Sequence, residues 1–110
     1  MHDKIHVVIR KDLDFGPQLA QAVHVAMKLE RNRPEEAEYL DTENVVVLHA
    51  QDEPHLQEVL DKLEATPTAT VQAFREPDYD NQLTAVAAWR GGRQLSQLPC
   101  AERKRKRHPH

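Results

Sequence analysis

Cysteine, serine, glycine and aromatic residues are all scarce in this chain, and each scarcity closes off a class of chemistry. The single cysteine, Cys100, excludes an internal disulfide and fits a reducing compartment. Ser96 is the only serine and lies near the C-terminal tail without a nucleophile-elbow context, which argues against a serine esterase. A cysteine nucleophile fails for the same reason at Cys100. Three glycines, Gly16, Gly91 and Gly92, cannot compose a P-loop or a dinucleotide fingerprint. No apolar run approaches a membrane span, and Met1-His2-Asp3-Lys4 lacks a signal-peptide h-region, so no membrane partner and a cytoplasmic location are expected. Seven histidines are present, but none are paired at helical or finger-like spacing. Neither a metal nor another cofactor is therefore expected. His6 and His49, within strand-like runs, read as core-edge residues.

What is present is an uneven distribution of charge on a chain of 110 residues, enough for one domain with one modest core. Arg103, Lys104, Arg105, Lys106 and Arg107 form one basic block, whereas residues 1 to 101 hold 10 basic and 17 acidic side chains. A basic tail on an acidic body is a pattern for nucleic-acid contact; a solvated terminus with no specific partner has the same composition. The expected division is a domain over residues 1–98 and a basic, disordered tail over 99–110.

The stretch around which the rest is organised runs from Val7 to Lys28. Ile5 to Ile9 is a β-branched run suited to a strand buried on both faces. Arg10-Lys11-Asp12 turns polar, Gly16-Pro17 breaks the run, and from Gln18 the period becomes helical, with Leu19, Ala22, Val23, Ala26 and Met27 as the apolar stripe. Pro17 suits the first turn of that helix, which leaves the amides of Gln18 and Leu19 to receive an oxyanion or a phosphate. Pro17, Gln21, His24 and Lys28 share a second stripe beside the Arg10-Lys11-Asp12 loop. Read on their own, Gln21 and His24 are boundary residues bonded to a neighbouring strand.

A short helix is expected from Pro34 through Leu40, then a second buried strand, Asn44 to Ala50. Asp52 caps the next helix, with Pro54 in its first turn and Leu56, Val59, Leu60 and Leu63 as its apolar stripe. A third strand, Ala69 to Phe74, leads through turn chemistry at residues 75–81 to a fourth, Leu83 to Trp89. That connection is too short for a crossover helix, so the fourth strand must return antiparallel. The fold class is α/β: a three-layer α/β/α sandwich on a four-stranded mixed sheet, its last strand antiparallel.

Arg10, Asp12, Leu13, Gly16, Ala20, Gln21 and His24 give the order Arg-x-Asp-Leu, a glycine, then Ala-Gln-x-x-His at the head of a helix. This resembles the type II peptidyl-tRNA hydrolase superfamily, and within it the shorter peptidyl-tRNA hydrolase domain-containing proteins, which share the pattern of Ile9 to Leu13 and of Glu76-Pro77 through Ala87. The similarity spans roughly residues 4 to 95 and implies the same four-stranded fold. It also implies hydrolysis, by an activated water, of the ester joining a peptide to tRNA, with peptidyl- or N-blocked aminoacyl-tRNA as the partner. On that resemblance His24 orients water or donates a hydrogen bond, Gln21 holds the ester carbonyl and Lys11 neutralises a phosphate or the developing charge. Glu76 or Asp78 supplies a carboxylate, Thr84 bonds across the site, and Arg10, Asp12 and Gln18 complete the substrate contacts. Two stretches depart from the family pattern: Phe15-Gly16-Pro17-Gln18 stands where a Gly-Lys-Gly-Lys stretch is usual, and Glu76 to Asn81 replaces an Asp-Ala-Gly-x-Thr-Gln motif. The alternative reading is a non-catalytic module that binds tRNA or a protein through the same strand-end pocket. A homodimer is left open.

Overall fold

The run from Ile5 to Ile9 forms most of strand β1, Lys4–Arg10, in a computed structural model that describes residues 4–37 and 41–101. Ile5, Val7 and Ile9 face one layer and Val8 the other, all buried, which is why the run does not alternate with polar residues. After β1 come α1 (Phe15–Asn32), a one-turn helix α2 (Pro34–Ala37) and β2 (Asp41–Ala50), followed by α3 (Glu53–Glu64), β3 (Thr70–Glu76) and β4 (Gln82–Trp89). Single 3₁₀ turns lie at Pro77–Tyr79 and Gly92–Leu95. Residues 38–40, the expected end of the short helix, and the basic block of the tail lie outside the described residues.

The sheet order is β2-β1-β4-β3. β1 pairs parallel with β2 through the long α1 crossover, while β4 runs antiparallel to both β1 and β3. Three strands therefore point one way, and the last is inserted between the first and the third. α1 packs on one face, over Val7, Ile9, Ala85, Ala87 and Trp89. α3 packs on the other, over Val8, Leu48, Val86 and Ala88. The expected three-layer arrangement and the antiparallel last strand are both present.

α3 follows its sequence closely. Asp52 accepts a hydrogen bond from the His55 amide at 3.0 Å, Pro54 lies in the first turn, and Leu56, Val59, Leu60 and Leu63 are all buried. At the sheet end beyond it Gly91 packs closely on the helix: a Cβ there would stand 2.5 Å from Leu63 Cδ2 and would make that buried side chain shift.

α1 departs from its sequence in two respects. It begins at Phe15 rather than near Gln18, with Asp14 as the N-cap residue, so the Gln18 amide already donates to the Asp14 carbonyl at 2.9 Å. The Gln18 amide is thus closed to an incoming anion. The buried face is Gln21, Val25 and Leu29, flanked by half-buried Ala22 and Ala26, whereas Leu19, Val23 and Met27 stand in solvent at 53%, 56% and 55% exposure. The expected stripe is therefore split, its alanines turned inward and its larger members outward. The reason is local to the sheet. Alanines 85 and 87 of β4 let the helix come close over the sheet centre, and Thr84 offers Gln21 a hydroxyl there.

Thr84 sits at an irregularity of the β3–β4 ladder, where the pairing passes from Phe74–Ala85 to Arg75–Leu83 and leaves Thr84 as the extra residue. Such a bulge re-aims one side chain. Here it turns the fully buried Thr84 hydroxyl toward α1. The β3–β4 turn closes through Asp80 and Asn81, both left-handed at φ 54° and 60°, a conformation their short polar side chains tolerate.

Candidate functional site at the carboxyl ends of β1 and β2

The loop after β1 is held from two sides. The Arg10 guanidinium donates to both carboxylate oxygens of Asp12, at 2.9 and 2.8 Å. Its remaining nitrogen donates to Gln82 Oε1 at 2.8 Å and reaches the Leu83 carbonyl at 3.3 Å. The fork geometry of arginine suits this bidentate contact. It keeps the Asp12 carboxyl below its ordinary value, chiefly through the hydrogen bond itself. Glu53, in the first turn of α3, accepts the Leu83 amide at 2.7 Å. Arg10 and Asp12 thus tie the end of β1 to the start of β4, and both are engaged with the protein itself.

Beyond that clamp, Gln18 bridges the loop to the next strand. Its side-chain Nε2 donates to the Leu13 carbonyl at 2.7 Å, with the Lys11 carbonyl at 3.4 Å. That contact fixes which end of the amide is oxygen. Oε1 faces His49 Nε2 at 2.8 Å, so Nε2 must carry the ring proton and donate it. In the neutral imidazole the lone pair then lies on Nδ1. Burial, and after it the charge of Lys11, lowers the His49 pKa and favours that neutral form.

This pair borders a groove of about 570 Å³ between α1 and β2, with apolar walls from Ile9, Phe15, Leu19, Ala22 and Val47. Its polar contributions come from Lys11, Gln18 and His49. The groove exists because α1 lies over β1, β4 and β3 and leaves the α1-facing side of the edge strand β2 partly open. Ala101 closes one wall: its amide donates to the Val47 carbonyl at 2.8 Å, and the His49 amide donates to the Pro99 carbonyl at 2.9 Å. Residues 99–101 are thereby fixed along the edge of β2, within two residues of the basic block.

Apart from the Arg10–Asp12 clamp, the expected site residues do not converge on one place. Lys11 and Gln18 meet at the groove. Gln21 and Thr84 meet under α1, the hydroxyl donating to Gln21 Oε1 at 2.9 Å, both buried. His24 lies on the outer side of α1, exposed, with its ring stacked on Phe74 of β3 at 5.2 Å between centroids and 14° between planes. Lys28, one turn on, places its ammonium 5.8 Å from the same ring. Glu76 ends β3 and Asp78 is exposed in the 3₁₀ turn. None of Gln21, His24, Glu76, Asp78 and Thr84 lines the groove. His49 does, half-buried at the rim as its core-edge reading expects; what that reading left out is its contact with Gln18. The available signal was its place next to last in a parallel strand, on the side where α/β sheets receive ligands.

Among the described residues no group of three or more His, Cys, Asp or Glu could hold a metal ion, and no helix is long and apolar enough to cross a membrane.

An α/β sheet with a strand-end groove defines the class of protein. No protein-family model and no curated protein matches the chain. Among solved structures it is similar to Atu0240, a protein of unknown function from Agrobacterium tumefaciens str. C58, with a TM-score of 0.69 over 93% of this chain and 99% of that one. The two are 13% identical, so the likeness is one of fold.

Proposed function

We propose that the chain hydrolyses the ester of peptidyl- or N-blocked aminoacyl-tRNA at the groove between α1 and β2. One observation carries the reading: His49, held by Gln18 and favoured in its neutral form, stands beside Lys11 at the rim of an apolar groove whose wall includes Ala101, two positions ahead of five cations in the sequence. Water attacks the ester carbonyl carbon and gives its proton to His49 Nδ1, while Gln18 holds the ring through Nε2. Lys11 offsets the charge that develops on the carbonyl oxygen. The carbon–oxygen bond to ribose then breaks, and the imidazolium returns its proton to the departing ribose hydroxyl. The amino-acid side chain of the ester occupies the apolar walls, and the tail holds phosphates. A general base of this kind contributes about 10²- to 10⁴-fold.

A second reading, a tRNA- or protein-binding module without turnover, draws on the lysine-free stretch Phe15 to Gln18 and on the open surface position of His24. Deacylation of an N-blocked aminoacyl-tRNA at rising protein concentration separates the two. Release that scales with protein and falls by about 10²-fold or more in His49→Ala supports the hydrolase. A fall in His24→Ala with His49→Ala unaffected moves the base to the His24–Phe74 face. Binding with no release beyond the spontaneous rate leaves the module.

A further inference from the structure

Lys11 and His49 border a second cavity, on the opposite side of the sheet edge. This cleft, of about 390 Å³, lies between α3, from His55 to Lys62, and residues 93–99. Its walls differ in kind from those of the groove. Lys11, Lys62 and Arg93 bring three permanent cations, against the single carboxylate of Glu58. None of the three cations has a carboxylate within ion-pair distance among the described residues. On a body that is otherwise strongly acidic, such a cluster is a local reversal of sign.

The uncharged side chains of the cleft can also donate, and for His55 the donor is fixed. The Gln51 amide donates to His55 Nδ1 at 2.9 Å, which leaves the proton of the neutral ring on Nε2. His55 therefore has a fixed N–H to offer. The side-chain amides of Gln94 and Gln97 add further donors on the facing wall. Cations with neutral donors and a single carboxylate describe a receptor for phosphate oxygens.

We propose that this cleft is a subsite for the phosphates of the terminal nucleotides of an RNA, so that the chain takes a ligand in two parts. The apolar acyl part lies in the groove on the α1 side, the ribose–phosphate part lies in the cleft on the α3 side, and their junction falls at Lys11 and His49. This rests on the proposed hydrolase reading for the acyl half. The nucleotide half stands on the cleft alone.

The test uses the full chain and a short single-stranded RNA ending in CCA, unacylated, with affinity measured across a salt series. Lys62→Gln and Arg93→Gln each remove one exposed cation and should each lower the slope of log affinity against log salt by about 0.7. Arg31→Gln, in the last turn of α1, removes an equal charge elsewhere and should leave the slope unchanged. With N-blocked aminoacyl-tRNA, the two cleft variants should raise KM and leave kcat alone. If their slopes match that of the unaltered chain while deacylation persists, the subsite is overturned and the hydrolase reading stands. If their slopes fall and no variant or parent deacylates, the subsite stands and the hydrolase reading falls. An equal loss in Arg31→Gln, or no RNA binding at all, also overturns the subsite.

Discussion

Leu19, Val23 and Met27 are among the more hydrophobic residues of α1, yet they face water, and the polar Gln21 takes a place in the core beside Val25 and Leu29. Truncations should follow burial rather than hydrophobicity. Leu29→Ala should cost about 2–5 kcal/mol in urea unfolding, while Leu19→Ala and Met27→Ala should each stay within about 0.5 kcal/mol of the parent. This face was illegible in the sequence because two stripes of α1 share similar apolar content. What decides between them is small alanines and one hydroxyl, all on β4. His49 also has a signature at this scale. Its folded pKa lies below the ordinary 6.5, so in the window between those values the unfolded chain binds more protons. The stabilisation that follows is complete above 6.5 and is lost as pH falls through the folded value. His49→Asn should therefore flatten the parent's loss of stability across that acid window, as measured by unfolding midpoints at a series of pH values. The acid limb of deacylation by the parent should have its midpoint below 6.5, because burial and Lys11 hold the His49 pKa under that value.

Among the elements, α3 was readable to its individual contacts, because cap, proline and apolar stripe lie within one local segment. β4 was readable as a strand but not as the strand between β1 and β3. Its near-continuous apolar run, Leu83 to Trp89, carried that information, since only a strand covered on both faces is free of polar alternation. The bulge at Thr84 had no local signal, for it depends on how Phe74 and Arg75 register against β4. Its energetic weight can be measured. Thr84→Val removes the donor to Gln21 Oε1 and leaves a buried carbonyl unmet, at a cost of about 1–3 kcal/mol. Thr84→Ser should recover most of that loss, and paired thermal melts of the two variants provide the comparison.

For the molecule as a whole, the arrangement of charge matters more than its sum. An acidic body repels a polyanion unless cations are gathered where it approaches, and the last described residue at the groove wall, Ala101, precedes the five cations by two positions in the sequence. Deleting residues 103–110 should weaken tRNA binding and shrink its salt dependence, with each lost phosphate contact lowering the slope by about 0.7–0.9. The melting temperature should hardly move, because residues 103–110 carry no large apolar side chain to bury. Of the site as a whole, sequence placed Lys11 and Gln18 where they are, but the groove itself is set by the offset of α1 from β2, a tertiary property that no spacing encodes. The same three residues that root the tail, Pro99 to Ala101, have a further effect. They occupy the outer edge of β2 beside Val47, Leu48 and His49, the exposed margin of an apolar sheet. A chain trimmed after residue 101 should remain clear in storage. One trimmed after residue 98 would present that margin to its neighbours and should turn turbid as strands of separate molecules pair, which light scattering over days would register.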